Sequence, residues 1–161
     1  MKSSKDKAQS SREDQRDQGP IDPAPGVDWL AEESGDFGGL LRDGPPASEP
    51  HSWDLLERTA KFGEQIIRFS KRIARGPGND RLIDQLVGAG TSVGANYCEA
   101  NEAVSKKDFQ FTISRCVKEA KETKFFLRMI AAAEPALAES ARPLYREAHE
   151  LLCIFGSMRT K

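Results

Sequence analysis

Four runs of apolar residues, each advancing by alternate steps of four and three, constrain this chain more than any other feature. The first is Leu55, Thr59, Phe62, Ile66, Phe69 and Ile73. The second is Leu82, Leu86, Ala89, Val93, Tyr97 and Ala100. The third is Phe109, Ile113, Cys116, Ala120, Thr123, Leu127 and Ile130, and the fourth is Leu137, Ala141, Leu144, Ala148, Leu151, Phe155 and Met158. Such spacing returns a side chain to the same side of a helix on every turn, so each run is one buried stripe. No segment alternates with the period of two that a half-buried strand requires. Four helices with short links and a repeat near 3.5 residues predict an all-α, up-down-up-down four-helix bundle.

Punctuation between the runs sets the expected boundaries: helices over 53–75, 80–102, 106–133 and 136–160 within a bundle spanning 52–161. Ser52 is a fitting N-cap, with Asp54 in the first turn. Gly76-Pro77-Gly78 should stop the first helix at Arg75, and Asn79 or Asp80 can cap the second. Ser105 followed by Asp108 has the form of a capping box. Pro143 lies inside the fourth stripe. Either one helix runs through it with a kink or irregular first turns, the favoured reading, or 136–141 form a separate turn and the main helix starts near Arg142.

Residues 1–50 have a different composition. The first nineteen hold no Val, Ile, Leu or aromatic residue, and six prolines and five glycines punctuate positions 20–50. Such a stretch reads as a disordered N-terminal extension. One island, VDWLAEESGDFGGLL at 27–41, mixes Trp29, Leu30, Phe37, Leu40 and Leu41 with acids, and its sharper reading is a segment that orders on a partner. The leader carries six Lys and Arg against eleven Asp and Glu, a net of −5, whereas 51–161 carry eighteen against fourteen, a net of +4.

Several function classes are excluded on these grounds. No stretch reaches the roughly 18 apolar residues of a membrane span, and the N-terminus has no apolar core for a secretory signal. The three cysteines, Cys98, Cys116 and Cys153, are odd in number and widely spaced, which fits a reducing compartment. A cytoplasmic protein is expected.

The stretch GAGTSVGANYCEAN at 88–101 invites comparison with phosphate-binding loops. A dinucleotide fingerprint needs Gly or Ala three residues after Gly90, where this chain has Val93, and it needs a preceding strand, where RLIDQLV has helical periodicity. A Walker loop needs a lysine, and none occurs between Lys71 and Lys106. The stretch is therefore a helix interior, and from Val87 to Cys98 it has no charge in a chain that is 30% charged. Glycine in a helix costs about 1 kcal/mol relative to alanine, so Gly88, Gly90 and Gly94 imply a compensating close approach of helices. A helix this poor in charge is expected to be covered on more than one side, the outer one by a second copy of the chain. Ser92, Asn96 and Glu99 share a face, and Lys118, Lys121, Arg115, Arg68 and Arg72 are candidate partners for the carboxylate.

Three segments carry a family resemblance: SVGANYCEA at 92–100, SKKDFQFTISRCVKEAKETKFFLRM at 105–129, and EAHELLCIFGSM at 147–158. In order and spacing they resemble the bacterial four helix bundle proteins first described from open reading frames in 23S ribosomal RNA intervening sequences. The resemblance implies a left-handed bundle that assembles as a homopentamer, and a family without an established biochemical activity. It also implies kinship of fold with the accessory protein of diversity-generating retroelements, a basic pentameric barrel that binds nucleic acid. By position, Ser92, Asn96, Glu99, Phe109, Glu119 and Glu122 match the family's characteristic sites. Gly90, Ser92, Gly94, Asn96, Glu99, Glu119 and Glu122 are accordingly expected at an oligomer interface or in a polar network.

No catalytic residue, cofactor or metal site is expected. A di-iron bundle needs two Glu-x-x-His pairs, and this chain has only His51 and His149. His149 and Cys153 share a helical face, but Cys153 stands where an H-E-x-x-H motif needs its second histidine. Nucleic acid is the alternative partner to another copy of the chain. Arg68, Lys71, Arg72 and Arg75 gather near the end of the first helix, and Arg115, Lys118, Lys121, Lys124 and Arg128 follow the third. These nine could meet RNA or DNA phosphates without reading bases.

Overall fold

The computed structural model describes residues 52–160, with side chains described from Leu55; the 1–50 leader, His51 and the side chains of Ser52 and Asp54 lie outside them. Four helices follow one another: α1 Ser52–Ser70, α2 Pro77–Asn101, α3 Lys106–Ala133 and α4 Ala138–Thr160, the last preceded by a 3₁₀ turn, Pro135–Leu137. Among the described residues there is no strand. Each helix packs on the next, and α4 returns to α1, which is the neighbour order of an up-down bundle.

The stripes meet in one core. Phe62, Ile66, Leu86, Val93, Ile113, Leu127, Leu151 and Phe155 are almost wholly shielded from solvent. The Tyr97 and Phe155 rings meet at a centroid separation of 5.3 Å, joining α2 to α4 across the bundle. Thr59 and Thr123 occupy stripe positions because their hydroxyls donate to backbone oxygens of their own helices, Leu56 O at 3.0 Å and Glu119 O at 2.8 Å. Ser105 caps α3 as expected: its side chain accepts from the Asp108 N–H at 3.2 Å, while Asp108 Oδ2 accepts from the Val104 N–H at 3.3 Å.

Two boundaries differ from expectation. The first helix ends at Ser70 and not at Arg75. Beyond it Arg72 N donates to Phe69 O at 3.0 Å and Ile73 N to Ser70 O at 3.2 Å, a tighter three-residue spacing that turns Ile73 back into the core at 4% exposure. The second helix starts at Pro77, with Gly76 as its N-cap in place of Asn79 or Asp80. Proline suits that first position, since its missing N–H would have no helical acceptor. The Gly76 carbonyl accepts from Asp80 N at 2.8 Å, and the Gly76 N–H donates back to Asp80 Oδ1 at 3.2 Å. Asn79 instead braces the link, donating to Ala74 O at 3.0 Å and to Glu134 Oε1 at 2.6 Å. At the start of the fourth helix, 3₁₀ geometry at Pro135–Leu137 passes directly into α4, which continues through Pro143. This is the favoured form, one helix with an irregular first turn.

Candidate functional site

The glycine-rich middle of α2 separates into two sides. A methyl group built on Gly90 would stand 2.9 Å from Ile66 Cγ1 and Cγ2, and one on Gly94 would stand 3.4 Å from Thr59 O. Both glycines therefore lie on the α1–α2 seam of the same chain. Gly63 faces them from α1, 3.7 Å from Thr91 Cα by the same construction. The three permit a close helix crossing, which offsets their cost to helix formation. Gly88 is different: nothing lies within 4 Å of its added carbon. Gly88, Ala95 and Cys98 are exposed, Thr91 and Ser92 are half-buried beside them, and together they form an outer strip without a charge.

The polar residues of α2 serve local ends. Buried Asn96 donates through Nδ2 to Ser92 O on its own helix at 2.8 Å. Glu99 pairs with Arg115 of α3 at 2.8 Å, so Arg115 is the partner among those anticipated from the sequence. Glu122 pairs with Lys118 at 3.5 Å. Half-buried Glu119 has its carboxyl pushed above the usual carboxylate range, first by burial and then by the neighbouring Glu122 charge.

The nine basic residues also separate. Arg68 is held by Glu64 at 2.7 Å, Arg75 by Asp80 at 2.9 Å, and Arg72 donates to the Ser140 hydroxyl at 3.1 Å. With Arg115 and Lys118 already paired, the two linear clusters dissolve into local ties. What remains on α3 converges. Lys121, Lys124 and Arg128 line an open cleft of about 330 Å³ together with Phe125 and, from α4, Tyr145. Lys124 is buried, with Nζ 4.6 Å from the Tyr145 ring centroid and 3.0 Å from His149 Nδ1. Phe125 is 54% exposed at the rim. Arg142 and Arg146, four residues apart, share a flank of α4. Phe125 and Tyr145 were not singled out from the sequence; Tyr145 reaches Lys121, Lys124 and Arg128 only through the α3–α4 register.

His149 and Cys153 do approach, Nε2 to Sγ at 3.8 Å, with Nδ1 directed to Lys124. Burial raises the Cys153 thiol above its ordinary value, against the opposing pull of Lys124, so it is held as the thiol and not as a thiolate nucleophile. The buried Cys116 thiol is pushed up to about 12. Among the described residues no three His, Cys, Asp or Glu side chains gather as a metal set, and no helix is long and apolar enough to cross a membrane.

These features define a small all-α protein, a four-helix bundle with a charge-poor outer helix face and a basic, aromatic-rimmed cleft. Residues 52–156 match the family model for the 23S rRNA-intervening sequence protein, and the chain belongs to that family. The fold is similar to the 1.70 Å crystal structure of a protein of unknown function from the S23 ribosomal protein family of Bacteroides thetaiotaomicron VPI-5482. That similarity has a TM-score of 0.60 at 24% identity and covers 68% of this chain and 98% of the other. No curated protein matches the chain.

Proposed function

We propose that the protein is a non-enzymatic, cytoplasmic, homo-oligomeric scaffold in which copies of the bundle pack through the outer strip of α2. The observation that carries this reading is the strip itself: Gly88, Thr91, Ser92, Ala95 and Cys98 run along solvent-facing helix surface without a charge, on a chain that is 30% charged. Small side chains there allow a second backbone to come close, and a partner face restores the burial that a charge-free helix face favours. Five copies is the number implied by the resemblance to the bacterial four helix bundle proteins. Ala95 is the position at which to test it, because Gly90 and Gly94 are already used inside the chain. Size-exclusion chromatography with light scattering should find the full chain as a pentamer and Ala95→Glu as well-folded single chains. A parent chain that runs as a folded monomer at every concentration would remove the scaffold reading.

A second reading is favoured by the cleft: a nucleic-acid-binding oligomer that holds RNA phosphates with Lys121, Lys124 and Arg128, its rim aromatic Phe125 offering a stacking surface. Copies of the cleft around a ring would add their positive fields. An RNA titration at two salt concentrations tests it, with affinity expected to fall steeply as salt rises. Absence of binding at low salt would eliminate it.

A further inference from the structure

The α3–α4 cleft has the chemistry of a receptor for an acidic, aromatic-bearing peptide. Its walls supply Lys121 and Arg128, both exposed and without an ion pair among the described residues, and its floor supplies buried Lys124. Apolar surface sits among these cations: Phe125 is half-exposed, stacked edge-on against Phe126 with ring centroids 5.2 Å apart, and Tyr145 closes the far wall. The cleft is a trough open to solvent and not a closed pocket, which suits a chain segment better than a small molecule.

The same protein carries such a segment. Residues 27–41 hold Asp28, Glu32, Glu33 and Asp36 interleaved with Trp29, Leu30, Phe37, Leu40 and Leu41, and no basic residue. We infer that residues 27–41 dock in the α3–α4 cleft of their own chain, with their acids against Lys121 and Arg128 and an aromatic ring against Phe125. The charges are complementary, a leader of net −5 against a bundle of net +4. The reach is sufficient as well. The up-down order places Ser52 at the same end of the bundle as Lys106. Lys121 and Arg128 then lie ~23 Å and ~33 Å along α3, while the eleven residues from Leu41 to Ser52 extend to ~36–40 Å. Tethering makes even a weak contact effective, because the segment is present at high local concentration. The inference does not depend on the oligomer reading.

Trp29 reports the docking directly. Trp29 and Trp53 are the two tryptophans of the chain, so full-length Trp53→Phe leaves Trp29 as the sole emitter. Its emission is expected to lie to the blue of a hydrated tryptophan and to resist acrylamide quenching. Both properties should be lost in Lys121→Glu/Arg128→Glu, with helicity by circular dichroism unchanged, and both should fade as salt is raised. The control Arg68→Glu/Lys71→Glu, on the end of α1, should leave them in place. Hydrated emission in the parent, or a blue shift that survives Lys121→Glu/Arg128→Glu, overturns the proposal. Hydrogen exchange on the unmutated chain gives an independent reading. If α3 around Phe125 gains protection only when a ribo-oligonucleotide is added, the cleft belongs to nucleic acid and not to the leader.

Discussion

Gly88, Gly90 and Gly94 are alike in composition and unlike in consequence. Adding a methyl to Gly90 drives it to 2.9 Å from two carbons of Ile66, a side chain with no exposed surface and nowhere to move. Overpacking of this kind costs about 1–3 kcal/mol, and the improved helix propensity returns about 1 kcal/mol. The clash is the larger effect because Ile66 is enclosed, so Gly90→Ala is expected to lower the unfolding free energy measured in urea by about 1 kcal/mol. At Gly88 the added methyl meets nothing within 4 Å. Gly88→Ala should raise the unfolding free energy of an isolated chain by roughly 0.5–1 kcal/mol. Equal responses at the two positions would contradict the seam geometry. A glycine cluster in sequence announces close approach but not its direction. Gly63, the α1 member of the same seam, escaped notice because it is a single glycine beside a strong apolar stripe.

At the scale of the element, what was legible is what depends on one helix at a time. The stripes from Leu55 to Met158 are the core or its edge, since a period of 3.5 leaves an apolar face no other destination. The Ser105–Asp108 cap was equally local. The end of α1 was not. Ile73 keeps the stripe's spacing, yet the backbone around it has already tightened into turns, and periodicity cannot tell a helix from a turn that delivers the same side chain to the same core. Basic residues show the same limit. Arg68, Lys71, Arg72 and Arg75 look like one cluster on paper, but Glu64, Asp80 and Ser140 engage three of them. The cleft, by contrast, joins Lys121, Lys124, Phe125 and Arg128 to Tyr145 from a different helix. That register is a property of packing between α3 and α4, so no scan along the chain finds it.

For the whole molecule, the distribution of charge bears on assembly. The outward surfaces of α1, α3 and α4 carry charged side chains such as Lys61, Glu64, Lys118, Lys121, Arg146 and Glu150, while the middle of α2 presents Gly88, Ala95 and Cys98. A bundle of this size buries a limited core, and an uncovered charge-free flank is surface that association can still remove from water. If copies of the chain cover that flank, unfolding includes dissociation, and the folded state gains with protein concentration. For a pentamer the gain per chain is about 1 kcal/mol for each tenfold rise. In a domain of this length it should lift the thermal midpoint by on the order of 4 °C. Scanning calorimetry over a hundredfold range of concentration should therefore show a steadily rising midpoint for the parent and a fixed one for Ala95→Glu. The variant places a carboxylate where the next chain would sit while leaving the α1–α2 seam untouched. A parent midpoint that does not move across the range would mean that water, and not another copy, covers α2, and the repeated cleft would then act one chain at a time.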